Sequence, residues 1–141
     1  MKKNDKTVCV RYTGIDPEKN RRQVEVRPFK NGLKYLQTQV DGHIEHFVID
    51  DELDELYIDM WINEEGKYRE DFRPSFALVH DGKLYDVIVG PCLFTKYDDE
   101  GNTHGLTLDE MNIVIGYLNG LPVAALVDSD GNEVPVLKVE K

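Results

Sequence analysis

The stretch LTLDEMNIVIGYLNGLPVAALVDSDGNEVPVLKV, residues 106–139, decides the fold because it predicts a helix followed directly by a β-hairpin. Thr107 and Glu110 have the spacing of a capping box, in which each side chain hydrogen-bonds the backbone N–H of the other residue. Apolar residues recur at helical spacing after this start, and an Asn-Gly pair followed by Pro122 ends the pattern. We therefore expect a helix at about 107–119.

The second half of the same stretch predicts a C-terminal hairpin over residues 122–139. Two β-prone segments, at 123–127 and 134–139, flank the turn sequence Ser-Asp-Gly-Asn at 129–132. A helix placed among short strands, without a regular strand–helix repeat, is typical of α+β proteins.

The N-terminal third of the chain shows the same mixture of elements. Alternating apolar residues before and after a polar turn at 14–20 predict a basic N-terminal hairpin within residues 1–30. Asn31 is a candidate N-cap for a short helix at about 31–40, and Gly42 is the expected left-handed residue after it.

Further strands are expected in the middle of the chain. Segments 76–79 and 85–89 flank an Asp-Gly turn, whereas the acidic run 50–54 is expected to interrupt regular structure. We therefore predict one α+β domain over residues 1–141, with a mainly antiparallel sheet, two helices and a hairpin at each end.

Composition indicates a folded protein of the cell interior. A chain of 141 residues with 40% hydrophobic and 31% charged residues is typical of one domain. Cys9 and Cys92 lack C-x-x-C spacing, so we expect two buried, reduced thiols. No apolar run has the length of a signal-peptide core or a membrane span. We expect a cytoplasmic protein without membrane association.

Charge is distributed unevenly along a chain whose net charge is −10. Residues 1–35 carry ten Lys and Arg against four Asp and Glu, whereas residues 36–141 carry seven against twenty-three. Such a body repels nucleic-acid backbones, so we expect no direct nucleic-acid partner. The acidic part is either a solubilising surface or a patch that binds a basic protein or imitates DNA phosphates.

One predicted strand combines acids with large aromatic residues. Leu56, Ile58, Met60 and Ile62 alternate there with Tyr57, Asp59, Trp61 and Asn63. The second set would share the face opposite the apolar one. That face is either an aromatic patch bordered by acids, suited to a protein partner, or is covered by another layer of the fold.

The sequence lacks the residue patterns of common catalytic and metal sites. His43 and Glu45 share one predicted strand face, but zinc needs at least three protein ligands. The acidic turns at 98–102 and 128–133 lack the spacing of a calcium-binding hand. Cys92 follows a Gly-Pro bend that could expose it, but no spacing pairs it with a base. We expect no metal, no cofactor and no enzymatic activity.

Several short motifs occur in an order that resembles one protein family. They are Leu36-Gln37, Val40 and Gly42 followed by Ile44-Glu45, the NEEGK run at 63–67, Pro74, the DVIVG run at 86–90, and Asp99 with Gly101. Over residues 33–118 the chain resembles a family known as the domain of unknown function number 3846, common in phages and bacterial mobile elements. The chain differs in having Asp41-Gly42 where the family often has two glycines, and Pro74-Ser75 where it often has Pro-Asn. The resemblance implies a phage or mobile-element context but no reaction, and both terminal hairpins lie outside it.

Two binding functions are predicted from the charge and aromatic patterns. The first is a non-enzymatic inhibitor that binds a basic bacterial host protein, such as a nucleic-acid-handling or defence component, stoichiometrically. Its candidate contact residues are Asp50, Asp51, Glu52, Asp54, Glu55, Tyr57, Asp59, Trp61, Glu64 and Glu65. The alternative is a sponge for a small nucleotide signal, bound at a homo-oligomer interface. Its candidate ligands are Arg11, Arg21, Arg22 and Arg27.

Overall fold

A computed structural model describes residues 6–141, which form two β-sheets and three α-helices. The strands are β1 Val8–Asp16, β2 Arg21–Pro28, β3 Ile44–Phe47, β4 Ile58–Asn63, β5 Pro74–His80, β6 Lys83–Val89, β7 Cys92–Tyr97, β8 Thr103–His104, β9 Val123–Val127 and β10 Glu133–Glu140. The helices are α1 Leu33–Val40, α2 Asp51–Glu55 and α3 Leu108–Gly120. Within residues 6–141, no helix is long and apolar enough to cross a membrane.

The strand order explains how distant parts of the chain meet. The first sheet has the order β2-β1-β7-β4-β3, with β8 paired to β7, and the second has the order β6-β5-β10-β9. Neighbouring strands are antiparallel except β10 and β5, which are parallel. The predicted α+β class with mainly antiparallel sheets is confirmed.

The main core lies between the two sheets and beneath α3. Tyr12 of β1 contacts Phe76 of β5 with ring centroids 5.2 Å apart, and both side chains are fully buried. Val114 and Leu118 of α3 are also fully buried in this core. Helix α1 covers part of the opposite face of the first sheet, where Leu36 and other apolar residues pack. Helices α3 and α1 therefore pack on opposite faces of the first sheet.

The two terminal hairpins form as predicted, and each belongs to a different sheet. In the first, β1 and β2 pair antiparallel around a turn at residues 17–20, which is shorter than the predicted 14–20. The first five residues of the predicted hairpin range 1–30 lie outside the described residues. In the second, β9 and β10 pair antiparallel around the Asp-Gly turn.

The helix at the end of the family-like region has the predicted start. Thr107 accepts a hydrogen bond from the Glu110 N–H at 3.1 Å, and Glu110 accepts one from the Thr107 N–H at 2.9 Å. This reciprocal pair is the capping box that the sequence predicted. The helix continues through Gly120, one residue beyond the predicted end.

Two predictions about helix ends are wrong. Helix α1 begins at Leu33 rather than 31, and Gly32 rather than Asn31 precedes it, without a side-chain cap. At its C-terminal end Asp41 has the left-handed φ of 61°, whereas Gly42 has a φ of 155°. Asparagine and aspartate tolerate this conformation better than most residues, which explains why the glycine was not required at that position.

Helix α2 was not predicted, because the acidic run 50–54 was expected to break regular structure. Asp50 precedes this helix as its N-cap and accepts a hydrogen bond from the Glu52 N–H at 2.8 Å. Acids in a first turn interact favourably with the helix dipole, and the buried Leu53 attaches the helix to the core. The acidic run therefore forms the first turn of a helix instead of interrupting regular structure.

Candidate functional site

The exposed acids predicted as partner contacts lie mainly on α2. Asp51, Glu52 and Glu55 are exposed, whereas Asp54 is half-buried. Asp50 caps the helix and lies near Tyr117, whose hydroxyl donates to the Asp50 carboxylate at 3.4 Å. This short helix therefore presents three freely accessible carboxylates, held in place by the buried Leu53.

The carboxylate of Asp59 is buried, which corrects the prediction that it borders an exposed patch. Its exposed fraction is 3%. Strands β4 and β7 pair Asp59 opposite Thr95, and the Thr95 hydroxyl donates to Asp59 Oδ1 at 2.9 Å. His46 Nε2 lies 2.7 Å from Asp59 Oδ2. Burial raises the pKa of the Asp59 carboxyl above its usual value, although the contacts with Thr95 and His46 partly offset this effect.

Trp61 lies on the same face of β4 and is held by the same polar network. Its Nε1–H donates to Thr95 Oγ1 at 3.1 Å, so an indole, a hydroxyl and a carboxylate form one chain of hydrogen bonds. The His46 ring meets the Trp61 ring edge-to-face, with centroids 5.2 Å apart. Part of the indole packs on the apolar cluster beneath α1. The face was expected to be either an exposed aromatic patch or covered by another layer of the fold. Trp61 lies between these alternatives, because the cluster beneath α1 covers part of its ring and the residue is half-buried.

Tyr57 does not continue the aromatic face of β4, which corrects the predicted alternation. It precedes the strand and has a left-handed φ of 60°. Its ring instead contacts Tyr97 edge-to-face, with centroids 5.3 Å apart. The Tyr97 hydroxyl donates to Asp54 Oδ1 at 2.6 Å, and this hydrogen bond raises the pKa of Tyr97 to about 12.

These side chains surround a surface cavity with a volume of about 420 Å³. We call it the acidic aromatic cavity, and its lining residues are His46, Asp54, Asp59, Trp61, Tyr97, Gly101 and Thr103. Two aromatic rings, one imidazole and two carboxylates line this space, and none of the lysines and arginines that the structure describes does. The cavity therefore has the chemistry of a site for a cation with an extended or planar shape.

Glu64 and Glu65, the last two candidate contacts, lie at the opposite end of β4. Both are exposed, and the Glu65 N–H donates to Asn63 Oδ1 at 2.8 Å. They do not line the acidic aromatic cavity. The structure thus brings Asp54 of α2 together with Asp59 and Trp61 at one cavity, and Glu64 and Glu65 do not line it.

The four arginines of the alternative site do not converge. Arg11 and Arg27 both pair with Glu25 and hydrogen-bond Gln39. Arg22 instead donates to the Leu121 carbonyl at 2.8 Å, on the α3 side of the hairpin.

Arg11 lines a sizeable cavity of the part of the chain that the structure describes. Arg11 shares a space of about 340 Å³ with Arg73 and three acids, which are Asp16, Asp41 and Asp71. An anionic ligand there would meet more carboxylates than guanidinium groups, and Arg21 projects from an exposed position outside it.

Both cysteines are buried, free thiols, as predicted. Cys92 pairs opposite Ile62 on the core side of the first sheet, so the Gly-Pro bend before it does not expose the thiol. Burial raises its pKa to about 12. His46 and Trp61 lie on the other face of the sheet, so no base approaches this thiol from the cavity. In residues 6–141, no three His, Cys, Asp or Glu side chains are grouped to hold a metal ion.

The family-like motifs meet at a junction beside α1. Asn63 Nδ2 donates to the carbonyls of Val40 and Asp41, each at 3.1 Å, and Asn63 is 6% exposed. A Cβ on Gly42 would lie 2.5 Å from Asn63 Nδ2, and one on Gly66 would lie 2.1 Å from a backbone carbonyl oxygen. Lys67 and Asp86, from two different motifs, form an ion pair. These contacts therefore hold the fold together, and of the motif residues only Gly101 lines the acidic aromatic cavity.

A family model described as "Domain of unknown function (DUF3846)" matches residues 11–121. The chain belongs to this family. The match begins well before residue 33, so most of the N-terminal hairpin lies inside the family region and the narrower expectation of 33–118 was wrong. The matched region therefore includes most of β1, which lies between β2 and β7 in the first sheet. No curated protein and no solved structure matches the chain significantly.

Sequence reasoning missed three contributors to the cavity, namely His46, Thr95 and Tyr97. His46 was not singled out from the sequence, and nothing in its neighbours along the chain indicates that it pairs opposite Trp61. The signal in the sequence was the β-prone segment 93–97, whose alternate residues share a face with those of β4 once the two strands are known to pair.

Proposed function

We propose that this protein is a non-enzymatic accessory protein of a phage or mobile element that binds a basic bacterial protein stoichiometrically. Its target would be a nucleic-acid-handling or defence protein of the host cytoplasm, which the chain would inhibit by occupying its basic surface. The observation that carries this proposal is the position of α2 beside the acidic aromatic cavity, because the Asp54 carboxylate of this helix lines the cavity together with the Trp61 and Tyr97 rings.

The physical argument combines charge and anchoring. A net charge of −10 accelerates encounter with a basic partner, and complementary charges favour the correct orientation. Rate enhancement alone does not retain a partner. Aromatic residues in partly desolvated pockets contribute most of the residence time at many interfaces, and Trp61 and Tyr97 occupy that position here.

The nucleotide sponge is less well supported by the geometry. Arg11 and Arg27 already pair with Glu25, and Arg22 lies on the other side of the hairpin. A phosphate would have to displace these contacts or use an interface with a second copy of the chain. This function is therefore retained only as an alternative outcome of the experiment below.

The test is affinity capture from bacterial lysate at about 0.15 M salt, where charges separated by more than ~8 Å are largely screened. Three forms are compared: the wild type, an Asp51→Lys, Glu52→Lys, Glu55→Lys variant, and a control with the same change at Glu18, Asp130 and Glu133. All six positions are exposed. We expect the wild type and the control to retain the same basic protein in a stoichiometric amount, and the α2 variant to lose it.

Equal retention by the α2 variant would contradict the proposal, because the acids on α2 would then be dispensable. Equal loss by both variants would also contradict it, since net charge alone would explain the capture. Native and denaturing mass spectra of the purified wild type complete the experiment. A bound nucleotide released on denaturation would replace the proposal with the sponge.

A further inference from the structure

The acidic aromatic cavity holds a carboxylate that is buried without a permanently charged partner. Among the described residues, the only ion-pair partner of Asp59 is His46, whose side chain is 48% exposed. Burying a carboxylate costs free energy unless hydrogen bonds or an opposite charge compensate for it. Thr95 and His46 supply hydrogen bonds, but among residues 6–141 no lysine or arginine forms an ion pair with Asp59 or lines the cavity. A cation entering the cavity would complete this compensation.

The walls of the cavity select the shape of that cation. The Trp61 ring is fixed in orientation, because its Nε1–H is bonded to Thr95 and it makes an edge-to-face contact with the His46 ring. A planar guanidinium stacks on an aromatic face and pairs with a carboxylate through two parallel N–H groups, whereas an ammonium does neither. Asp54 accepts one hydrogen bond from Tyr97 through Oδ1, which leaves Oδ2 to accept another.

We propose that the acidic aromatic cavity binds the guanidinium group of an arginine side chain presented by the basic partner protein. This inference rests on the proposed function, since it identifies the group that anchors the partner. The guanidinium stacks on Trp61 and donates to the carboxylates of Asp54 and Asp59. The exposed acids of α2 then contact the surrounding basic surface.

The size of the cavity fits a single side chain and its aliphatic stem. A volume of about 420 Å³ lies at the lower end of the ~300–1,000 Å³ range of small-molecule pockets. Two of the lining residues, Gly101 and Thr103, have small side chains that occupy little of this space, and Gly101 is exposed. Other cavities of the described residues are lined by bases as well as acids, or by few residues.

Trp61 provides a direct readout because it is the single tryptophan of the chain. Its indole N–H gives one resolved signal in a ¹H–¹⁵N NMR spectrum, and the other amide signals report whether each variant is folded. The probe is a capped Gly-Arg-Gly tripeptide, and the controls are the same tripeptide with citrulline or with lysine. Citrulline keeps the length and planarity of arginine but removes the charge.

We expect a saturable shift of the indole signal with the arginine peptide and affinity about tenfold weaker for both control peptides, because charge and planarity are both needed. Asp59→Asn should weaken binding of the arginine peptide about tenfold, as should Asp54→Asn, which keeps an oxygen to accept from Tyr97. Asp130→Asn, in an exposed turn, should leave binding unchanged.

Three results would overturn the assignment: no saturable shift, equal affinity for the citrulline or lysine peptide, or full affinity in a folded Asp54→Asn variant. If Asp59→Asn does not fold, Asp54→Asn still decides the question. The failure of this inference differs from the failure of the proposed function. If partner capture depends on the exposed acids of α2 but not on Asp54, the proposed function stands and the arginine-binding cavity is refuted. If the arginine peptide binds but no partner is captured, the cavity assignment stands and the proposed function is refuted.

Discussion

Replacing Asn63 by alanine should destabilise the protein substantially, although this residue contacts no ligand in either proposal. Its side chain donates to the carbonyls of Val40 and Asp41 at the end of α1 and accepts from the Glu65 N–H. Asn63 is 6% exposed, so water does not reach all of these groups after the substitution. The junction between α1 and the end of β4 depends on this one amide.

The three contacts differ in what their loss costs. The Asp41 carbonyl keeps a hydrogen bond from Arg69 Nη1 at 3.2 Å, and the exposed Glu65 N–H can bond to water instead. The carbonyl of Val40, a fully buried residue, has no such substitute. A buried acceptor left unpaired costs ~1–3 kcal/mol and each replaced hydrogen bond ~0.5–1.5 kcal/mol, so we expect a loss of about 2–4 kcal/mol.

Urea unfolding followed by Trp61 fluorescence measures this loss directly. The Asn63→Ala variant should unfold at lower urea with an unchanged slope, because the surface exposed on unfolding stays the same. Asn112→Ala is the matched control, since Asn112 is an exposed residue of α3, and a change within about 0.5 kcal/mol is expected there. A loss below about 1 kcal/mol for Asn63→Ala would refute the reasoning, because an orphaned buried carbonyl alone should cost that much.

Two further predictions concern glycine packing and pH. Gly66→Ala should lower the free energy of unfolding by about 3 kcal/mol, because the added Cβ would lie 2.1 Å from the Val89 carbonyl oxygen. Gly116→Ala is the matched control in α3: no atom lies within 4 Å of its added Cβ, so the free energy of unfolding should rise by about 0.5–1 kcal/mol. Similar changes for both variants in urea unfolding would contradict the close approach. Burial raises the pKa of Asp59 in the folded state, so folding favours the protonated carboxyl. The wild type should therefore lose stability as the pH rises from about 4, near the ordinary value of an aspartate, through the folded-state pKa, whereas Asp59→Asn should not. Parallel profiles of the free energy of unfolding against pH for the two proteins would contradict this prediction.

Local signals in the sequence predicted the elements that depend on neighbouring residues. The capping box of Thr107 and Glu110 and the Asp81-Gly82 turn each formed where expected, because their geometry is determined within four residues. The acidic run after Asp50 misled the prediction, since carboxylates that are poor strand formers are favourable in a helix's first turn. Short helices of this kind depend on one buried anchor, here Leu53.

The candidate site could be predicted only in part. Trp61 and Asp54 were chosen from composition and alternation, but the burial of Asp59 depends on which strand pairs beside it. The pairing between β4 and β7 joins residues 30 to 38 positions apart, and no periodicity along the chain encodes it. The same limit concealed the contact between His46 and Asp59. The acidic aromatic cavity is therefore a property of strand register rather than of any motif.

The parallel pairing of β10 with β5 has a consequence for work on the whole family. The family match ends at residue 121, yet β10 lies between β5 and β9 inside the second sheet. A fragment trimmed to the matched region would leave the hydrophobic strand β5 with an unpaired edge, and such edges recruit other chains. Expressed fragments of related proteins should therefore extend to a strand beyond the family boundary, and aggregation of shorter fragments would reflect an open sheet edge rather than an unstable fold.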